Sequence, residues 1–106
     1  MEKYKKVYLD TFYPGWGEQD FIPCEVTGQR AVDIHHIFPR GTYPELYDCP
    51  GNLMAMTRKE HMDKGQNKKY LQELIDCHVA FVKLKAIENG FSSEEILEPL
   101  RLSGLL

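Results

Sequence analysis

Residues 33–61 read DIHHIFPRGTYPELYDCPGNLMAMTRKEH, and this stretch decides the fold. Residues 30–37 are predicted to form a strand, which places His35 and His36 on opposite faces. A loop rich in Pro and Gly follows. A second short apolar run, residues 52–56, is then predicted to return as the partner strand.

Three helices are predicted after this second strand. Thr57 and Glu60 have the spacing of a capping box, and Gly65 is placed to end the helix that they begin. A longer helix fits residues 70–88, and a last one begins after Ser92 and runs to about residue 100. The long helix carries a wide apolar face, which we expect to bury against the hairpin or a second subunit. Its members are Leu71, Leu74, Ile75, Phe81 and Val82.

The first third of the chain is rich in aromatic residues at uneven spacing. It predicts an irregular lead-in to about residue 30, with a short helix over residues 3–12 as the alternative. Pro14, Gly15 and Gly17 break any regular element after that point. We expect the aromatic side chains to cover the core, and a base-stacking platform is the alternative use.

The composition is that of one small domain. The chain has 106 residues, with 42% hydrophobic and 27% charged, so residues 1–106 are expected to share one core. No apolar run is long enough for a transmembrane helix, and no secretory signal is expected. Three cysteines at wide spacing argue against a disulfide framework and favour reduced thiols in the cytoplasm.

The net charge of −3 removes the simplest argument for a nucleic-acid partner. Residues 58–69 nevertheless hold five Lys or Arg against two acidic residues. A solvated helix face and a phosphate-binding surface both fit such a cluster.

The side chains best suited to metal binding or catalysis are the histidines around the hairpin. If the chain curves away after His36, the adjacent pair can converge on one site, and the capped helix can bring His61 beside it. Two or three imidazoles around one point are a common way to hold a divalent transition metal.

These residues resemble the HNH endonuclease family, the ββα-metal or His-Me finger nucleases. The resemblance rests on the segment 33–37 (DIHHI), the Asn52-Leu53 pair and His61, and it covers about a third of the chain. It implies an α+β fold with a hairpin and a crossing helix at its core, over about residues 24–66. A helical C-terminal part over about residues 70–102 would pack behind that core.

The resemblance also implies a role for each matched residue. His35 and His61 would be metal ligands, and His36 would be the general base that takes a proton from the attacking water. Asn52 would hold the hairpin loop in place, as part of the catalytic set, without touching the metal. Asp33 is a candidate to orient one of the imidazoles by a hydrogen bond to the ring nitrogen that does not bind the metal. The implied cofactor is one divalent ion, with Mg²⁺ or Mn²⁺ expected and Ni²⁺ or Zn²⁺ as alternatives.

One departure from the family concerns zinc. Many small members carry two cysteine pairs that bind a structural zinc, but here Cys24 stands alone where a pair would sit, with Thr27 in the second position. We therefore expect no structural zinc. His78 is expected to be a core residue and Cys77 a packing residue.

The implied function is metal-dependent hydrolysis of DNA phosphodiester bonds, with 5′-phosphate and 3′-hydroxyl products. The alternative is a non-catalytic DNA-binding or accessory module of the same fold, acting with phage or bacterial machinery. The DNA is expected to be held mainly through its phosphates, by a monomer or homodimer in the cytoplasm of a bacterial or phage-infected cell. The candidate cations are Arg40, Arg58, Lys59, Lys64, Lys68 and Lys69.

Overall fold

The computed structural model describes all residues from Met1 to Leu106 and has an α+β architecture built on one two-stranded antiparallel sheet. Single turns of 3₁₀ helix lie at Pro44–Leu46, Pro50–Asn52 and Lys68–Tyr70. None of the helices combines the length and the apolarity that a membrane crossing requires. The main elements are α1 (Lys3–Phe12), β1 (Asp33–His36), β2 (Leu53–Met56), α2 (Arg58–Glu60), a π-helical turn (His61–Gly65), α3 (Leu71–Asn89) and α4 (Ser93–Leu102).

The second strand lies at the centre of the core. All four of its residues are buried, because both faces of the hairpin are covered. Leu53 and Ala55 point to one face and pack with α1, α3 and α4, while Met54 and Met56 point to the other face. This double burial explains why the strand is a continuous apolar run and does not alternate with polar residues.

The helix boundaries follow from local signals. The Thr57 hydroxyl accepts a hydrogen bond from the Glu60 amide, and Ser92 caps α4 in the same way through Glu95. The expectation of an irregular lead-in is wrong for its first residues, because Lys3–Phe12 forms the helix that was the alternative. This helix packs Tyr8 and Phe12 into the core, so those two aromatic residues are not a stacking platform. The apolar face of α3 packs within the same chain: Leu74, Ile75 and Val82 are buried, and Leu71 and Phe81 are partly buried against the core.

The expectation for the capped helix also needs correction. The capped helix was predicted to remain α-helical to Gly65, but only Arg58–Glu60 is α-helical, and His61–Gly65 forms a π-helical turn. The wider π turn carries one extra residue per hydrogen-bonded ring and so changes where the last residues of the turn lie. This difference changes the surroundings of His61 and Gly65, the first and last residues of the turn.

A buried ion pair joins the lead-in segment to α3. The Glu25 and His78 side chains are 0% and 1% exposed, and Glu25 Oε1 lies 2.6 Å from His78 Nδ1. The second carboxylate oxygen accepts hydrogen bonds from the Tyr8 hydroxyl and the Ala55 amide. His78 Nε2 lies 2.9 Å from the carbonyl oxygen of Pro50. His78 is therefore a core residue, as expected.

Both imidazole nitrogens of His78 face acceptors, which favours the doubly protonated ring. Burial lowers the pKa of His78, but the charge of Glu25 and the hydrogen bonds to Glu25 and Pro50 together raise it above its ordinary value of 6.5. A group whose pKa is raised by folding stabilises the protein fully below its unfolded pKa and loses that contribution as the pH rises through its folded pKa.

We therefore expect the free energy of unfolding to fall as the pH rises above about 6.5. In Glu25→Gln the imidazole has no charged partner, so the protein should lose about 3 kcal/mol near pH 6 and show a flatter pH dependence above it. Urea unfolding of both proteins across this pH range measures the effect. Parallel curves for the two proteins would contradict it.

Candidate functional site

Three histidines line one cleft of about 800 Å³ beside the hairpin. His35 and His36 are neighbours at the end of β1, and His61 is the first residue of the π turn. The loop after His36 and the residues that follow the π turn complete the walls, together with Leu105 near the chain end. The structure thus brings together the three histidines that the sequence singled out.

The His35 and His61 rings are in contact. Their centroids are 4.8 Å apart and their planes are inclined by 58°. Burial lowers the pKa of His35 to about 4, and the neighbouring His61 and His36 add to this effect. His35 is therefore neutral at pH 7, which is the form that binds a metal ion.

Asp33 connects His61 to Arg58. Its Oδ2 atom lies 3.0 Å from His61 Nδ1, and Arg58 donates two hydrogen bonds to the carboxylate at 2.7 and 2.9 Å. The bond to Arg58 lowers the pKa of Asp33, which burial alone would raise, so the carboxylate stays charged. A charged carboxylate accepts from Nδ1–H, so His61 Nε2 is the ring nitrogen that stays free of this bond.

His36 is held differently from His35. Its Nε2 atom lies 2.8 Å from the carbonyl oxygen of Tyr47, and its ring stacks on the Tyr47 ring at 4.8 Å. A carbonyl only accepts, so Nε2 donates and Nδ1 is left as the basic nitrogen. Burial lowers the pKa of His36 by more than the Tyr47 bond raises it, so the neutral form is favoured. The ring of Tyr4, on α1, packs edge-on against the imidazole at 4.5 Å.

Asn52 holds the loop between the strands. Its side chain is fully buried, and its Oδ1 atom accepts from the Phe38 amide at 2.7 Å. Its Nδ2 group donates to the carbonyl oxygens of Phe38 and Leu46, both at 3.0 Å. These bonds fasten the first and middle parts of the loop to the start of β2. All of its side-chain hydrogen bonds go to loop backbone and none to the histidines.

The candidate cations fall into two groups. Arg58, Lys59 and Lys64 are paired with carboxylates of Asp33, Asp63 and Glu73. Arg40, Lys68 and Lys69 form no ion pair. The Arg40 guanidinium lies 4.3 Å from the centroid of the Tyr47 ring, and both Arg40 and Lys68 line the cleft.

The donor set suits a metal ion in part. No cluster of three or more His, Cys, Asp or Glu side chains is arranged to hold a metal, and the three cysteines are free. Two imidazoles bound to one ion at about 2.1 Å have ring centroids about 5 Å apart, and the 4.8 Å between His35 and His61 agrees with this. His35 and His61 are therefore the two side chains that would hold an ion, whose other positions would be left to water and substrate.

Gly65 and Tyr47 are site residues that sequence reasoning missed. A Cβ atom on Gly65 would lie 2.8 Å from His61 Cδ2 and 3.1 Å from His35 Cε1, because the π turn folds its backbone against both rings. The sequence suggested only that Gly65 ends a helix. Tyr47 contacts His36 through its backbone carbonyl oxygen. Every residue has such a carbonyl, so the residue types in the sequence do not reveal this contact.

We expect Gly65→Ala to push the two imidazoles apart. Overpacking of this kind costs about 1–3 kcal/mol of stability, and metal affinity should fall with it. Thermal unfolding and calorimetric titration with Mn²⁺ measure both effects. Gly17→Ala is the matched control, because nothing lies within 4 Å of its Cβ position. A Gly65→Ala protein as stable as Gly17→Ala, with unchanged Mn²⁺ binding, would refute this role.

Comparison of the chain with protein-family models, curated proteins and solved structures finds no match. The resemblance to the HNH endonucleases therefore rests on the matched residues and on the arrangement described above.

Proposed function

We propose that this protein is a metal-dependent DNA endonuclease of the HNH type, with a ββα-metal core formed by β1, β2 and the segment from Arg58 to Gly65. The observation that carries the proposal is the single cleft in which His35 and His61 contact each other and His36 keeps Nδ1 as a basic nitrogen. Two imidazoles for an ion and one separate base are parts that metal-assisted phosphodiester hydrolysis can use.

His36 would act as the general base. Its Nδ1 atom takes a proton from a water molecule as that water attacks phosphorus, and the bond from phosphorus to the 3′ oxygen breaks. The Tyr47 carbonyl, which accepts from Nε2, stabilises the imidazolium that forms. The stacked Tyr47 ring and the edge-on Tyr4 ring restrict the imidazole to one orientation.

His35 and His61 would hold the ion. When bound, a divalent ion offsets negative charge on the phosphate and on the departing oxygen. Asp33 positions His61 by accepting from Nδ1, and Arg58 keeps Asp33 charged. Asn52 contributes by fixing the loop that carries Phe38 and Tyr47.

The charge distribution in the cleft supports a nucleic-acid substrate. The chain has 16 acidic residues, yet none of them lines the cleft, while Arg40 and Lys68 do. Both cations lack a carboxylate partner and are therefore available to phosphate oxygens. Arg58, Lys59 and Lys64 already neutralise carboxylates, so we assign backbone contacts to Arg40, Lys68 and Lys69 first.

The central experiment is cleavage of supercoiled plasmid with Mg²⁺, Mn²⁺ or Ni²⁺. We expect nicking that a chelator abolishes. His36→Ala should lose about 10²–10⁴-fold in rate and still bind Mn²⁺ in calorimetry, whereas His61→Ala should lose Mn²⁺ affinity. Because the variants are purified in the same way, they also control for a contaminating nuclease. An active His36→Ala protein would refute the assignment of the base.

A binding or accessory module is the second candidate, and one observation favours it: only two side chains, not three, converge to hold a metal. DNA binding without cleavage under any of the metals would select this module over the nuclease.

The phosphate contacts make a separate prediction. Arg40→Gln and Lys68→Gln should each weaken binding to all DNA sequences alike and reduce the slope of log affinity against log salt by about one unit. Lys59→Gln changes the net charge equally but removes a cation already paired with Asp63, so its slope should stay close to that of the wild type. If all three variants show the same salt slope, Arg40 and Lys68 do not contact the DNA phosphates.

A further inference from the structure

Part of the cleft is apolar and has no role in the hydrolysis proposed above. Five of its lining side chains form an apolar set beside the histidines: Phe38, Tyr43, Leu71, Leu74 and Leu105. The cleft volume of about 800 Å³ is in the range of pockets that enclose small organic ligands. Binding phosphate and water requires neither this volume nor these apolar walls.

Tyr43 is the aromatic residue of this set that a ligand can reach. It is half-buried, and its ring packs edge-on against the buried Phe38 ring at 5.6 Å between centroids. Phe38 is in turn fixed at its backbone amide and carbonyl by Asn52. The Tyr43 ring is thus supported before any ligand arrives, so stacking on it would cost little conformational entropy.

The charges around the apolar set indicate which class of ligand would bind there. No carboxylate lines the cleft, and its two cations, Arg40 and Lys68, have no acidic partner. A site that combines an aromatic ring, aliphatic walls and unpaired cations is complementary to a flat base joined to a phosphate. A purely apolar ligand would leave both cations unused.

We propose that the apolar set takes one DNA base that is unstacked from its neighbours, with Tyr43 as its stacking surface. A base within an intact duplex cannot enter such a pocket without leaving its stack and its pair. The cleft would therefore prefer single-stranded or locally unpaired DNA to regular duplex. This inference rests on the proposed function for the identity of the ligand as DNA.

The test compares two DNA duplexes that differ only by a one-nucleotide bulge. Binding is measured by fluorescence anisotropy in the presence of a chelator, so that no cleavage occurs. The two probes carry almost the same charge, and non-specific electrostatic binding treats them alike. We expect the bulged duplex to bind about 5- to 150-fold more tightly, as one stacked base would provide. Equal affinities would overturn the inference without any variant.

Two variants identify the surface. Tyr43→Ala should remove the preference for the bulge and leave affinity for the intact duplex unchanged. Phe21→Ala is the matched control, because Phe21 is a more exposed aromatic residue at 52% and lies outside the cleft. The Phe21→Ala protein should still bind the bulged duplex more tightly than the intact duplex. If the Tyr43→Ala protein still prefers the bulged duplex, the assignment of Tyr43 as the stacking surface is refuted.

The outcomes also separate this inference from the proposed function. A protein that prefers the bulge but cuts no DNA with any metal would keep the base site and overturn the nuclease. A protein that cuts plasmid but binds both duplexes equally would keep the nuclease and overturn the base site.

Discussion

The ion pair between Glu25 and His78 is the interaction on which the rest of the structure depends. Through its hydrogen bonds it joins α1 at Tyr8, β2 at Ala55, α3 at His78 itself and the turn before β2 at Pro50. Desolvation offsets most of the attraction in such a pair, so its net contribution to stability is small. Its effect is on specificity, because any packing that separates these segments leaves a charge buried without a partner.

The Glu25–His78 ion pair is linked to the candidate site through two further sets of hydrogen bonds. The Pro50 turn that receives His78 ends at Asn52, and Asn52 fixes the loop backbone at Phe38 and Leu46. The residue after Leu46 is Tyr47, whose carbonyl accepts from His36. The orientation of the proposed base therefore depends on a buried network at the core, so core substitutions can affect the site without touching a histidine.

The parts of this fold that sequence could predict are those set by local signals. The caps at Thr57 and Ser92, the α3 helix and the α+β class all follow from residue types at short spacing. The pairing of Glu25 with His78 spans 53 positions and leaves no local trace, although burial of His78 was predictable from its place on the apolar face. The π turn was also hidden, since residues 57–65 satisfy the pattern of an ordinary capped helix.

The site shows the same division between local and non-local information. The histidines, Asn52 and Asp33 were visible as residue types in a known order, but their partners were not. Whether Asp33 would face His61 or another imidazole depended on how the segment after β2 packs across the strand.

The charge of the whole chain does not describe the charge of one local site. A net charge of −3 argues against a DNA partner, yet the acidic residues lie outside the cleft, and several of them pair with cations on the outer surface. The charged side chains that line the cleft are Arg40 and Lys68, and the nearby Asp33 carboxylate, 3.0 Å from His61, is paired with Arg58. An acidic protein can therefore present a cationic cleft. The acidic residues outside the cleft would then oppose non-specific binding along DNA, while phosphate contacts inside the proposed site would depend on Arg40 and Lys68.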